Sequence, residues 1–303
     1  MNRSPVIVAI FGPTGIGKTA VAIALAERLR AEGEDPVAIS ADALQLYAGL
    51  EILTGAPTAT ERARLEHRLV GTLPLTATSS AGEFASTAHA EIDALLEEAR
   101  RPIVVGGTGL YLRAALAELD LRPPVDPAIR ERRRAQLERE GAPALHAELT
   151  GRAPETAAAI RPQDAQRVTR ALELLDAGEQ PPPGTEASRL WTADLRRPTL
   201  LAGLTMEREA LTRRIEARVD AMVAAGAIDE VRRADAAGAS PGARQALGFR
   251  QLLDGDVEAM KAQTRRYAKR QMTWMRKLEG VRTIDVTHRT PEEVAEELRA
   301  ALA

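Results

Sequence analysis

The segment Gly12-Pro13-Thr14-Gly15-Ile16-Gly17-Lys18-Thr19 fits the pattern G-x-x-x-x-G-K-S/T, and with its flanks it constrains the fold more than any other stretch of this chain. Before it, Val6 to Phe11 is an apolar run of strand length; after it, Thr19 to Arg30 has helical periodicity. A glycine-rich loop between a strand and a helix is a cradle for phosphate. Its backbone N–H groups point inward, the helix N-terminus adds positive potential, Lys18 supplies a mobile charge, and the Thr19 hydroxyl can ligate Mg²⁺. The alternation also commits the chain to crossovers, so a parallel sheet is expected around the loop.

Further along, Val37 to Ser40 reads as a second strand, Ala85 to Glu98 as a helix and Pro102 to Val105 as a third strand. After Leu121 the character changes. Arg122, Pro123, Pro124 and Pro127 interrupt the pattern, and the stretch to about Leu175 is rich in Arg and Glu, helical, and without strand signals. Residues 178–184 are turn-rich, Leu200 to Leu204 suits a returning strand, and the remainder reads as helical, from Glu207 to about Ala237 and from Val257 to Lys277. The predicted architecture is α/β: a P-loop NTPase-like parallel sheet flanked by helices, with an all-helical insertion domain. Residues 1–121 form the first part of the P-loop core, 122–190 the helical insertion, and 191–303 complete the core with basic C-terminal helices.

Composition narrows the function. With 303 residues and 45% hydrophobic content the chain can bury a full core. No charged-then-apolar leader follows Met1, and no apolar run approaches the length that crosses a bilayer, so a soluble cytoplasmic protein without membrane contact is expected. The absence of cysteine excludes Cys-ligated zinc, and four scattered histidines show no metal-ligand spacing. A net charge of −2 argues against indiscriminate nucleic-acid binding, yet Arg265, Arg266, Lys269, Arg270, Arg276 and Lys277 form a local basic stretch.

Hydrolytic P-loop proteins follow the loop with a hydrophobic strand ending in Asp, which holds Mg²⁺. Here the third strand ends in Val105-Gly106-Gly107-Thr108-Gly109. That disfavours a hydrolytic motor and leaves group-transfer enzymes that bind a polyphosphate. The second strand ends in Ser40-Ala41-Asp42, at the carboxyl edge where open α/β sheets bind ligands. Asp42 is either a general base facing the phosphate site or the N-cap of a helix over Ala43 to Tyr47, and the residues themselves leave both readings open.

With these pieces in order the chain resembles the tRNA dimethylallyltransferase family, the tRNA isopentenyltransferases, in its bacterial form. The resemblance runs from about Val6 to Lys277. It is carried by the P-loop, by Ser40-Ala41-Asp42-Ala43-Leu44-Gln45-Leu46-Tyr47, and by Gly106-Gly107-Thr108-Gly109-Leu110-Tyr111. Further on it is carried by Gln166-Arg167-Val168-Thr169-Arg170, by Arg214-Ile215 with Arg218-Val219, by Gln245-Ala246-Leu247-Gly248-Phe249, and by Thr264 to Gln271 with Thr273-Trp274.

The resemblance implies Mg²⁺-dependent transfer of a dimethylallyl group from dimethylallyl diphosphate to the exocyclic amine of the adenosine just 3′ of the anticodon. The P-loop then serves as a clamp for the leaving diphosphate, with Lys18 and Arg218, preferred over Arg214, neutralising its charge, Thr14 counted with them among the catalytic residues, Thr19 on Mg²⁺, and Asp42 as base. By the same carry-over Asp42, Ala43, Leu44, Gln45, Thr108, Arg130, Gln166, Arg167, Val168, Thr169 and Arg170 match positions that contact the tRNA anticodon stem-loop. A monomer with no obligate protein partner is expected. Relatives usually have Ser at Ala43, Lys at Ala56 and His at Arg68, and these departures bear on the positioning of tRNA more than on the reaction. Rival readings are a small-molecule kinase with an Arg-rich lid at Arg130 to Arg134, an adenylate isopentenyltransferase, and a nucleotide-dependent RNA-binding regulator. The helical insertion and the basic C-terminal part favour tRNA over free nucleotide.

Overall fold

Strand β1 (Ile7–Phe11) is apolar at every position because both of its faces are covered: Val8 and Ile10 join one core layer, Ile7, Ala9 and Phe11 the other. In the computed structural model, which describes residues 5–119, 121, 125–182 and 192–302, this strand leads through the glycine loop into α1 (Lys18–Ala31). Then come β2 (Pro36–Ala41), α2 (Glu51–Thr54), α3 (Ala59–Arg64), β3 (His67–Arg68), α4 (Ala81–Glu97), β4 (Arg101–Gly106) and α5 (Gly109–Leu116). Helix α4 starts at a capping box in which Ser80 and Glu83 satisfy each other's backbone N–H groups.

The chain divides into two compact units, Met1–Leu121 with Leu190–Ala303, and Arg122–Arg189. The second unit contains α6 (Pro127–Glu140), α7 (Ala142–Arg152), α8 (Pro154–Ala158) and α9 (Ala165–Asp176), with no strand among its described residues. The first unit resumes with β5 (Thr199–Thr205), α10 (Arg208–Ala224), α11 (Ala227–Ala236), α12 (Phe249–Leu253), α13 (Val257–Met275), β6 (Arg282–Asp285) and α14 (Pro291–Ala300). Its sheet has six strands in the order β3-β2-β4-β1-β5-β6, every neighbouring pair parallel. Helices α1 and α14 cover one face; α4 and α5 cover the other.

The expected strands and helices are found, with three corrections. Residues 207–237 are not one helix, because Gly226 takes a left-handed φ of 98° and separates α10 from α11. The C-terminal part is not wholly helical: β6 closes the sheet edge, with only Ile284 of its residues buried. Residues 43–46 form a turn and not a helix. Of the expected breaks, Arg122, Pro123, Pro124 and residues 183 and 184 lie outside the described residues.

The helical unit combines a small apolar core, Leu145, Leu149, Val168, Ala171 and Leu172, with a buried ionic clasp. Arg133 on α6 bonds both carboxylate oxygens of Asp176 on α9, at 2.7 and 2.8 Å, and both of Glu148 on α7, at 2.8 Å each. Hydrogen bonding from Arg133 holds the Asp176 carboxyl far below its ordinary range, and the same bonds push the guanidinium up. Removing one partner of such a pair costs about 3–5 kcal/mol. Arg134 is engaged with Glu131 and Glu138 on its own helix. The Arg130–Arg134 segment is therefore largely committed to its own unit, which removes the support for a kinase-type lid.

Candidate active site at the P-loop

The loop from Gly12 to Thr19 turns through two left-handed glycines, Gly15 at φ 81° and Gly17 at φ 100°. Gly17 precedes the first residue of α1 and has no side chain to cap it, so the amides that open the helix meet no side-chain acceptor. Lys18 folds back over the loop and donates to the carbonyl oxygens of Gly12 (2.9 Å) and Pro13 (3.0 Å). Pro13 has no N–H to donate and the Ile16 side chain is buried, so neither side chain is available to a phosphate.

Three charges meet here. Burial pushes the Lys18 ammonium down to about 8, the nearby Arg218 guanidinium adds to that, and Asp42 opposes it. Arg218 is likewise lowered, by burial first, with Asp42 opposing. Arg218 fits against the chain only because residue 55 is glycine: a Cβ on Gly55 would lie 1.7 Å from the guanidinium. Arg214, one turn earlier on α10, is exposed and lies beside Gly17, where a Cβ would come within 3.1 Å of its guanidinium. Of the two arginines, Arg218 shares the electrostatic neighbourhood of Lys18 and Asp42.

Asp42 follows β2, and its Oδ1 accepts the Leu44 N–H at 3.0 Å, which closes a turn instead of capping a helix. Ala43 and Leu44 are half-buried in that turn. Gln45 is engaged within the loop: its Oε1 accepts from the Ser40 hydroxyl (2.8 Å) and its Nε2 donates to the Gly55 carbonyl (3.2 Å). The far end of this segment is anchored by buried Glu230 of α11, whose carboxylate accepts the Ile52 and Leu53 N–H groups at 2.9 and 2.8 Å. Burial raises the Glu230 carboxyl. Arg68 pairs with Glu66 and Glu91 and serves the sheet edge.

Strand β4 ends in glycines for a steric reason, since a Cβ on Gly106 would lie 2.8 Å from the Ala41 carbonyl oxygen. Thr108 beyond it shares a 2.7 Å hydrogen bond with the Tyr267 hydroxyl of α13. Burial pushes the Tyr267 phenol up to about 12, and Asp42 adds to that. Two residues one turn apart on α13 thus join the site, both of which enter the sequence analysis only as parts of a motif: Tyr267, and buried Gln271, whose Oε1 accepts the Thr14 N–H at 2.8 Å. The readable signal was a polar residue on the helix's buried face, which Thr264, Ala268, Gln271 and Met275 mark out at helical spacing.

Among the described residues no three His, Cys, Asp or Glu side chains cluster to hold a metal ion. The half-buried Thr19, in the first turn of α1, is the hydroxyl donor next to the cradle. That sparse, oxygen-only set fits Mg²⁺, which keeps much of its water and takes substrate phosphates as further ligands.

In the helical unit, Gln166 and Arg167 are exposed on α9, and Arg130 is half-buried on the first turn of α6. Arg167 reaches Asp164 only at 3.6 Å, and Arg170 reaches Glu173 at 3.3 Å. Val168 is a correction: it is fully buried in the core of the unit, because α9 is amphipathic and that position points inward. The Thr169 hydroxyl is buried too and has no hydrogen-bond partner. In the C-terminal basic stretch Arg265 is paired with Glu216 at 2.6 Å, while Arg266, Lys269, Arg270 and Arg276 are exposed.

The IPP transferase family model matches residues 45–278 of the chain. The tRNA dimethylallyltransferase of Thermobifida fusca is 40% identical over 283 residues, covering 89% of this chain and 87% of that protein. That of Bacillus velezensis is 38% identical over 299 residues, 94% of this chain and 92% of the other. Among solved structures, the tRNA isopentenylpyrophosphate transferase of Bacillus halodurans superposes with a TM-score of 0.69 at 33% identity over 98% of this chain and 96% of its own. A eukaryotic dimethylallyltransferase acting on tRNA superposes with a TM-score of 0.76 at 25% identity, covering 98% of this chain and 78% of its own.

Proposed function

The chain belongs to the IPP transferase family, and from that membership and the geometry of its P-loop we propose that it transfers a dimethylallyl group from dimethylallyl diphosphate to the N6 amine of the adenosine 3′-adjacent to the anticodon in tRNA, releasing diphosphate. The observation that carries the reading is the meeting of Lys18, Arg218 and Asp42 beside an open glycine cradle, two cations for a leaving diphosphate and one carboxylate for a proton.

The bond between the allylic carbon and the diphosphate oxygen breaks, with its electron pair leaving on oxygen, and a bond from N6 to that carbon forms. Loop amides, Lys18 and Arg218 stabilise the departing charge. Asp42 takes the N6 proton; an adenine amine is a weak nucleophile, and loss of that proton as the bond forms makes attack feasible. Thr19 and the diphosphate oxygens would hold Mg²⁺, which when bound neutralises further charge on the leaving group. The adenine leaves its stack to reach the loop, at a cost of a few kcal/mol that contacts elsewhere on the tRNA offset. The enzyme acts as a monomer in the cytoplasm. No helix among the described residues is long and apolar enough to cross a membrane.

Incubation with Mg²⁺, dimethylallyl diphosphate and unmodified tRNA, followed by nucleoside analysis, tests the proposal. Prenylated adenosine is expected in tRNA and not in free AMP. Phosphate entering an acceptor from ATP, with no prenyl transfer, would turn the assignment to a kinase.

Binding of tRNA is expected to weaken steeply with salt. Arg167→Ala and Arg170→Ala should each flatten the log–log salt slope by about 0.7–0.9 where a phosphate contact is lost. Unchanged affinity and slope in both variants would remove α9 from the interface.

A further inference from the structure

Gln271 is 2% exposed on the inward face of α13, where a leucine would pack as well and need no hydrogen bond. Its amide faces backbone on both sides. Oε1 accepts the Thr14 N–H at 2.8 Å, across 257 residues of sequence, and Nε2 lies against the backbone at Gly107, where a Cβ would come within 2.3 Å. One turn earlier on the same helix, the Tyr267 hydroxyl meets Thr108 at 2.7 Å. The guanidinium of Arg270 stands 5.4 Å above the Tyr267 ring, and Arg266, Lys269 and Arg270 are exposed on the other side of α13. The helix therefore carries cations outward and, at i and i+4, two polar groups inward onto the loops after β1 and β4.

We infer that Gln271 is a positioning residue that fixes the backbone of Thr14 and thereby ties the basic helix α13 to the phosphate loop. The inference rests on the prenyl-transfer reading above and assigns that reaction a residue outside the P-loop and the Asp42 loop. Gln271 touches no reacting atom; it acts by holding the third residue of the loop from behind. Because the Thr14 N–H is engaged in this way, it is not part of the cradle, and the amides of Gly15, Gly17, Lys18 and Thr19, which meet no backbone acceptor, form it. A displacement of order 1 Å at such a loop can cost about a hundredfold in rate.

The test, on full-length protein, is single-turnover prenylation beside amide exchange at Thr14. Gln271→Met keeps the volume and removes the hydrogen bond from Thr14. In the otherwise wild-type protein it is expected to lower the rate about tenfold to a hundredfold, with tRNA affinity changed less than about threefold. In the same variant the Thr14 N–H should exchange faster while the β1 and β5 amides keep their protection, because only the loop backbone has lost its anchor. Loss of protection throughout the sheet, as a general loss of fold integrity would give, overturns the inference, and so do an unchanged Thr14 exchange rate and a normal prenylation rate in Gln271→Met. Should Gln271→Met not fold, amide exchange in the substrate-free wild type decides: a protected Thr14 N–H supports the inference and loop-like exchange overturns it. Absence of any prenyl transfer by the wild type itself would instead overturn the reading on which the inference stands.

Discussion

Asp42→Asn is expected to cut the single-turnover rate of prenyl transfer by about 10²–10⁴, the span of a positioned general base, while tRNA affinity changes by less than roughly tenfold. The local structure makes this substitution a clean one. Asp42 contributes one hydrogen bond to its own loop, from the Leu44 N–H to Oδ1, and the amide oxygen of asparagine accepts it equally well. The turn, the Gln45 bonds to Ser40 and Gly55, and the anchoring of Ile52 and Leu53 by Glu230 all remain. What is lost is the capacity to take a proton at neutral pH. A second effect has a definite sign: Asp42 raises the Lys18 pKa, so its neutralisation should push Lys18 lower still and make donor binding fail at a lower pH. Near-normal turnover in Asp42→Asn, measured beside a tRNA titration, would remove Asp42 from the mechanism.

Lys18→Met should lower kcat/KM for dimethylallyl diphosphate by about 10²–10³, the usual loss for one donor to a developing oxyanion. The effect on tRNA binding should be small, since the lysine meets the diphosphate. In the wild type, Lys18 held down to about 8 predicts a pH limb. Below that value it is protonated in the free enzyme and kcat/KM is flat; above it the neutral amine cannot pair with diphosphate and kcat/KM falls. The limb should be missing in Lys18→Met. Stability runs the other way. The native pKa lies below the ordinary lysine value of 10.5, so between the two the unfolded chain binds more protons and stability rises with pH. Lys18→Met should therefore melt no lower than wild type near neutrality, which separates lost chemistry from lost folding.

The parts of this molecule that could be read in advance are those whose signal is local. The P-loop, the apolar strands β1, β2, β4 and β5 and the amphipathic α9 all announce themselves within about ten residues. The edge strands do not: β3 is two half-buried residues, and β6 buries only Ile284, so neither has enough alternation to register. The break at Gly226 was written in the sequence, but a lone glycine in a helical pattern does not by itself say that the helix ends. In the site, Asp42 and Lys18 were visible because their motif is contiguous. Gly55, Glu230 and Gln271 were not, because each matters through a partner far along the chain: the Arg218 guanidinium, the Ile52 and Leu53 amides, and the Thr14 amide. The preference for Arg218 over Arg214 rested on the family motif, and it is burial beside Lys18 that supplies its physical reason.

The position of the central strand has a consequence for how the chain is made. β1 is flanked by β4, which precedes the helical unit, and by β5, which follows it. A ribosome extending the chain at about 5–20 residues per second therefore leaves one side of Ile7–Phe11 unpaired for several seconds after β4 is complete. Throughout that interval the nascent chain presents an apolar strand with open N–H and C=O groups, the form that invites pairing with another copy. The same strand would be bared in any product ending before Thr199, and a chain ending before α14 would lack the Val294, Ala295 and Leu298 side chains that pack in the layer over α1. Nascent and prematurely terminated copies of this protein are accordingly expected to depend on chaperones that shield extended apolar segments, a demand that ends once β5 has docked.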